Sequence, residues 1–262
     1  MTIDRNARIQ DVKSWGDYYL LTIDSPAVGR TAQPGQFVMV KVADTPFPLL
    51  RRPLSIHDAR ESGIELFFKV AGLGTEILAR KKAGDAIDIL GPLGKGYTVS
   101  PDLKGKKAHL VGGGRGIAPL FFLGRALQIL GARVTVFYGG RCQADVPLRH
   151  RFEAAAFPLL CSTDDGSFGF AGLVTELLGR ELGVSPADML YVCGPDPMMS
   201  AVARMARESG IPGEFSLESM MGCGIGACWG CVRRVRNESG DGWVKICEEG
   251  PVFPGDRIVW TE

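Results

Sequence analysis

The chain carries almost no net charge: 30 lysines and arginines stand against 29 aspartates and glutamates, leaving +1. Without a whole-chain field, nucleic acid and anionic lipid are poor expectations as partners. Long apolar runs are also missing, and no window approaches the ~18 uncharged apolar residues of a membrane span. The start, Met1-Thr2-Ile3-Asp4-Arg5-Asn6, lacks the apolar stretch of an export signal. A soluble, cytoplasmic protein with no nucleic-acid or membrane partner is therefore expected. Internal repeats and low-complexity tracts are absent too. At 45% hydrophobic and 23% charged residues, disorder is excluded as a main theme, and 262 residues suit one large domain or two to three smaller ones.

Two residue types are present in unusual patterns. Glycine, at 35, is about twice its ~7% average usage, and the excess falls in compact loops where backbone can approach a ligand closely. Of seven cysteines, four crowd between Cys223 and Cys247 while Cys142, Cys161 and Cys193 are scattered. Without an export signal, such a cluster points to metal or redox chemistry before disulfides.

Hydrophobic rhythm divides the chain into three. Up to about residue 98 it predicts short strands at 5–9, 18–23, 37–42, 63–70 and 85–90, with a short helix over 75–82, as in a small antiparallel barrel. From about Lys106 the order becomes apolar strand, glycine loop, helix: strands at 109–111, 133–138 and 189–192, helices over 119–130 and 173–182. That alternation predicts a parallel sheet covered by helices. The section from about Gly213 is too small to bury a core alone, and a metal centre would stand in for one.

Within that section the spacing Cys223-x4-Cys228-x2-Cys231-x15-Cys247 matches the plant-type ferredoxin pattern, in which four thiolates hold a two-iron, two-sulfur cluster. Small residues, Gly224-Ile225-Gly226-Ala227, let the backbone curl and aim N–H groups at sulfur. A four-cysteine zinc site is the alternative, although such sites usually repeat the C-x2-C knuckle and here it occurs once.

Gly112-Gly113-Gly114-Arg115-Gly116 follows a strand and opens a helix, where a pyrophosphate can rest on exposed N–H groups. The spacing is not the standard G-x-G-x-x-G, and a tight strand-to-helix turn would look the same. Cys193-Gly194-Pro195 forms a second strand-end loop, so both loops should open on one carboxyl edge of the sheet. Arg51-Arg52-Pro53-Leu54-Ser55 offers guanidinium groups for a phosphate and a hydroxyl for a ring nitrogen, or else a basic loop edge before a strand. Asp164 and Asp165 read as turn residues, and Cys193 as a buried apolar residue.

Taken in order, Arg52-Pro53-Leu54-Ser55, Gly72-Leu73-Gly74-Thr75, the glycine loop, Cys193-Gly194-Pro195 and the cysteine cluster resemble the ferredoxin–NADP reductase superfamily with an appended iron–sulfur domain. Ser216-Leu217-Glu218, Met221-Gly222-Cys223, Gly230-Cys231 and Cys247-Glu248-Glu249-Gly250-Pro251 more closely resemble the electron-transfer subunits of NAD-dependent dihydroorotate dehydrogenases.

The resemblance implies an FAD-binding antiparallel β-barrel over 1–100, an NAD-binding parallel α/β domain over 101–212 and a small cluster domain over 213–262. It implies that Arg52, Pro53, Leu54, Ser55, Lys69, Val70, Ala71, Gly74 and Thr75 hold FAD. Gly112, Gly113, Gly114, Gly116, Cys193, Gly194 and Pro195 would hold NAD(H), and Cys223, Cys228, Cys231 and Cys247 would ligate a 2Fe-2S cluster. Leu54 replaces an aromatic common in the superfamily, Arg115 a small apolar residue, and Trp229 an aliphatic one. The implied activity passes electrons between NADH and the FMN of a separate catalytic subunit that oxidises dihydroorotate in pyrimidine synthesis, in a heterotetramer of two subunits of each kind. FAD suits this because a flavin exchanges either a hydride or single electrons. The chain is too short to contain the partner's (β/α)8 barrel as well. A reductase subunit of a related complex, serving ferredoxin-linked NADP or sulfide and polysulfide chemistry, is the alternative.

Overall fold

The structure is a computed structural model that describes residues 1–237 and 240–260; the last residues of the expected 213–262 section lie outside it. Among the described residues, six strands close an antiparallel barrel: β1 (Thr2–Trp15), β2 (Tyr18–Asp24), β3 (Phe37–Lys41), β4 (Arg52–Arg60), β5 (Gly63–Lys69) and β6 (Ala86–Leu93), in the order β1-β2-β5-β4-β3-β6. Alternation puts Leu21, Ile23, Val38, Val40, Ile56, Leu66, Ile87 and Ile89 inside the barrel, as a period of two demands. Two short helices, α1 (Pro26–Gly29) and α2 (Leu73–Ala79), sit between strands. The stretch Arg52-Pro53-Leu54-Ser55 lies in β4, paired with Phe37–Val40 of β3, rather than in a loop before a strand. Pro53 is tolerated there as the strand's second residue, where a missing donor costs the ladder little.

The second unit is a sheet of β7 (Lys107–Gly113), β8 (Arg133–Gly140), β9 (Leu159–Thr163), β10 (Phe170–Ala171), β11 (Met189–Cys193), β12 (Gly213–Ser216) and β15 (Val252–Pro254), ordered β10-β9-β8-β7-β11-β12-β15. All neighbours are parallel except β12 and β15. Both faces are covered, so the central strands are continuously apolar. Leu110, Val136 and Tyr191 share one core with Leu120, Leu123 and Leu127 of α3 (Leu120–Leu130) and Phe152 of α4 (Arg149–Ala154). Val111, Phe137 and Val192 turn the other way, to Leu178 of α5 (Val174–Val184) and Met199 and Val202 of α6 (Asp196–Glu208). Helix α3 stops at Gly131, a left-handed cap at φ 88°, the usual task of a glycine at that position.

The C-terminal section does not stand apart. It contributes β12 and β15 to the sheet, and its hairpin, β13 (Val232–Asn237) with β14 (Gly240–Lys245), and α7 (Ile246–Glu249) share the core of α5 and α6 through Val235, Val244 and Ile246. The apolar support expected from a metal centre is thus supplied in part by the neighbouring sheet.

Candidate functional site

Two clefts open side by side, each within the usual size of a small-molecule site. The first, about 510 Å³, lies on the barrel and is lined by Arg52, Pro53, Leu54, Ser55, Lys69, Ala71 and Thr75. Its far wall comes from the last section, Ser216 to Met221. At the start of α2, Thr75 Oγ1 accepts the N–H groups of Ala71 (2.9 Å) and Gly72 (3.2 Å) and donates to the Gly72 carbonyl. Gly74 does not line the cleft; an added Cβ there would meet Arg52 Cζ at 2.7 Å, so its lack of a side chain makes room for the guanidinium. Val70 also stays out of the lining, its N–H bonded to the Asp17 carbonyl at 2.8 Å.

The second cleft, about 580 Å³, runs along the carboxyl edge of the parallel sheet and is lined by Gly113, Gly114, Gly116, Gly194 and Pro195. Both glycine-bearing loops do open on one edge, because Gly112 of β7 pairs with Cys193 of β11. An added Cβ at Gly116 would stand 2.5 Å from the Cys193 carbonyl oxygen and 2.6 Å from Gly194 Cα. The two loops touch through backbone, which only glycine permits. Gly112 and Cys193 lie beneath the cleft rather than in its lining. Cys193 is buried, and burial pushes its thiol well above the usual range, which makes it an inert packing residue.

Lys69, Arg115 and Glu218 line both clefts, so the two form one trough. At its centre Asp145, almost wholly buried, accepts from Tyr18 Oη (2.7 Å), Lys69 Nζ (2.8 Å) and Arg141 Nε (3.0 Å). Burial alone would raise the Asp145 carboxyl, but these three donors outweigh it and hold it well below the ordinary carboxylate range. Burial followed by the bond to Asp145 raises the Tyr18 phenol in turn. Across the trough Arg115 pairs with Glu218 at 3.1 Å. This arginine, unexpected in a glycine loop, therefore has a partner from the last section. Sequence reasoning missed Tyr18, Asp145 and Thr175 as lining residues; 127 positions separate Tyr18 from Asp145, and no local pattern links them.

The four clustered cysteines come together in pairs. Cys223 lies beside Cys228 and Cys247 beside Cys231, with Cys223 also near enough to act on Cys247. Backbone N–H groups address the sulfurs: Gly226 to Cys247 Sγ (3.1 Å), Cys247 to Cys231 Sγ (3.4 Å) and Ile225 to Cys223 Sγ (3.5 Å). The loop follows this path with Gly224 at φ 75° and Gly226 at φ 81°. Burial pushes the Cys223 thiol up, but the N–H groups of Ile225, Cys228 and Ala227 and the Cys228 thiol bring it down to about 7, favouring the thiolate that binds metal. Cys247, more enclosed, is pushed up to about 12 by burial and then by Cys231. Trp229, at φ 56°, is exposed and carries Lys245 Nζ 5.0 Å above its ring. This donor set and its N–H groups fit an iron–sulfur cluster.

Comparison with known proteins adds sequence evidence. Residues 110–204 match the family model of the oxidoreductase NAD-binding domain, and residues 218–259 that of the iron–sulfur cluster binding domain of dihydroorotate dehydrogenase B. The electron transfer subunit of dihydroorotate dehydrogenase B (NAD(+)) from Desulforamulus reducens is 43% identical over 92% of both chains. The subunit of the same name from Shouchella clausii is 40% identical over 93% of both. Among solved structures, a NADH-dependent reduced ferredoxin-NADP oxidoreductase aligns at TM-score 0.85 and 32% identity over 98% of this chain and 90% of its own. A ferredoxin NADP+ reductase from Neisseria gonorrhoeae, with bound FAD and NADP, shares the fold at TM-score 0.67 and 17% identity, over 80% of this chain and 92% of its own.

Proposed function

The chain belongs to the family of electron-transfer subunits of NAD-dependent dihydroorotate dehydrogenase B, and from that premise we propose that its two clefts and its cysteine loop form one electron path. It is an NAD-linked oxidoreductase subunit, with FAD, a 2Fe-2S cluster and NAD(H), that exchanges electrons with a dihydroorotate-oxidising catalytic subunit. When bound, NADH supplies a hydride, FAD divides it into single electrons and the cluster carries them singly.

The residues have separate tasks in this scheme. Arg52, Pro53, Leu54, Ser55, Lys69, Ala71 and Thr75 bind the flavin in the barrel cleft, with Val70 and Gly74 behind the lining, Gly74 leaving room for the Arg52 guanidinium. Gly113, Gly114 and Gly116 present N–H groups to the dinucleotide pyrophosphate, where a helical turn leaves its first donors without internal partners. Gly194 and Pro195 wall the same cleft, seated on Gly112 and Cys193. Cys223, Cys228, Cys231 and Cys247 would ligate the iron–sulfur cluster, which would carry single electrons. Ser216 to Met221 lead from the flavin cleft directly into the cysteine loop, so the strand end that closes one site begins the next. No side-chain base is required, because a hydride moves without a separate proton.

The observation that carries this proposal is the sharing of Lys69, Arg115 and Glu218 by the two clefts: a nicotinamide ring at that end of the nucleotide cleft enters the flavin cleft, as hydride transfer requires. The partner is the FMN-containing catalytic subunit, in a two-plus-two heterotetramer. No helix among the described residues is long and apolar enough to cross a membrane, and a cytoplasmic location fits a partner that acts on a soluble pyrimidine precursor. A second reading, a subunit for ferredoxin-linked NADP reduction, is favoured by the 32% identical structure. The higher identity to dihydroorotate dehydrogenase subunits and the match of the cluster segment to their own domain weigh against it.

An anaerobic visible spectrum of the loaded chain, before and after NADH, decides the internal path: bleaching of both flavin and cluster bands is expected. Orotate formation from dihydroorotate and NAD only after the catalytic subunit is added supports the partner. Bleaching combined with turnover on ferredoxin and NADPH, and none on dihydroorotate, would move the chain to the second reading.

A further inference from the structure

The trough gives the dinucleotide a direction, and that direction leads to an acid with no other task. Its flavin end is marked by Lys69, Arg115 and Glu218, which line both clefts, and Asp164, Leu173 and Thr175 line it on the β9 side of the sheet. With the nicotinamide at the flavin end and the pyrophosphate on the glycine loop after β7, the adenosine ribose falls toward the end of β9. Asp164 stands there as the first residue after β9, two strands or about 10 Å from the glycine loop. Its N–H is fixed on the Gly140 carbonyl at 3.0 Å.

The other charges of the cleft sum to +1, because two cations share one carboxylate. Lys69 and Arg141 are both bound to Asp145, and Arg115 to Glu218. Asp164 is exposed, and among the described residues its carboxylate has neither an ion-pair nor a hydrogen-bond partner. The next residue differs: Asp165 accepts from the Ser167 N–H (2.9 Å) and hydroxyl (2.6 Å) and only closes the turn. A free carboxylate at a ribose accepts hydroxyl donors and repels a phosphate.

We infer that Asp164 is the residue that selects NADH over NADPH, accepting from the adenosine ribose hydroxyls and repelling a 2′-phosphate. Arg141 has its Nε on Asp145 but stays exposed beside that strand end, so it is the cation that a 2′-phosphate would meet once the Asp164 carboxylate is removed. The inference rests on the proposed nucleotide cleft, so its test begins with a ligand that reports the cleft alone.

The FAD- and cluster-loaded full chain is titrated calorimetrically with ADP-ribose and with its 2′-phosphorylated form. The unaltered chain should prefer ADP-ribose by at least about tenfold, and Asp164→Asn should reduce the preference below about threefold, chiefly by admitting the phosphate. Asp165→Asn should leave it unchanged. The kcat/KM ratio for NADH over NADPH should move in parallel. An Asp164→Asn chain that keeps the original preference would overturn the assignment of selectivity to this residue. Failure of ADP-ribose to bind the unaltered chain would instead overturn the nucleotide cleft, and the inference with it.

Discussion

Cys228 is the exposed member of a thiol set whose partners Cys231 and Cys247 are buried, and its sulfur lies 3.4 Å from where a Cβ on either Gly222 or Gly230 would stand. The cluster ligands are therefore packed by glycine on both sides. Cys228→Ser should cost the chain most of its iron, sulfide and visible cluster absorption while leaving FAD bound; retained iron and sulfide would refute ligation by Cys228. The cysteines were legible in the sequence because ligation fixes both residue type and spacing. His57 was not. Its ring is buried, with Nδ1 on the Ala118 carbonyl at 2.8 Å and stacked on Phe121 at 4.9 Å between ring centres, and its partners are some 60 positions away. Burial, then the charge of Arg151, depresses the imidazole from 6.5 to about 3. Between these values the unfolded chain binds a proton that the folded one refuses, so stability is complete above pH 6.5 and falls as pH drops toward 3. The contribution is up to about 2 kcal/mol between pH 6.5 and 5. Urea unfolding at pH 7 and pH 5 should show this loss, and His57→Gln should shrink the difference between the two pH values.

At the scale of elements, the decisive contact is between two loops that follow β7 and β11. Gly116 meets the backbone of Cys193 and Gly194, atoms that cannot swing aside as a side chain would. Gly116→Ala should part the loops and weaken NADH binding by about tenfold, since small displacements of positioned groups cost affinity and rate steeply. FAD binding, which rests mainly on barrel residues, should change far less; an unaltered dissociation constant for NADH would show that the loops do not act together. The sequence made these loops visible through glycine after apolar strands. It left β4, β9, β12 and β15 less visible. Arg51-Arg52-Pro53-Leu54-Ser55 also reads as a basic loop edge before a strand, yet the barrel's pairing with β3 takes Arg52 to Ser55 into the strand itself. Strand β15 is three residues long, and its place beside β12 depends on the Phe215–Phe253 register, which no periodicity in so short a run can convey. The cluster section looked independent for the same reason: its core is shared with helices about 40 to 70 positions earlier.

The whole molecule works only if the barrel and the sheet keep one relative position, and two ionic groups span that boundary. On one side Arg125 of α3 bonds both oxygens of Asp58 in β4 at 2.6 Å, and Arg151 of α4 reaches Glu65 of β5. On the other, Asp145 joins Tyr18 and Lys69 of the barrel to Arg141 of the sheet. The first group lies away from the trough and the second lies within it, at the junction of the clefts. Buried pairs are poor sources of stability but costly to break from one side, so such groups fix geometry more than they add to folding energy. Asp145 is accordingly a positioning residue. Asp145→Asn keeps the shape but loses the charge that gathers Lys69 and Arg141, so the two clefts should meet less well. The rate of flavin bleaching at saturating NADH should fall by about tenfold or more, while the NADH concentration giving half that rate changes by less than about threefold. Arg125→Met should lower the melting temperature and slow that rate less than Asp145→Asn does, because Asp58 keeps Arg151 as a second partner and lies outside the trough. Stopped-flow bleaching measures both variants. An Asp145→Asn chain that loses NADH affinity at an unchanged limiting rate would make Asp145 a ligand of the nucleotide and not a brace between domains.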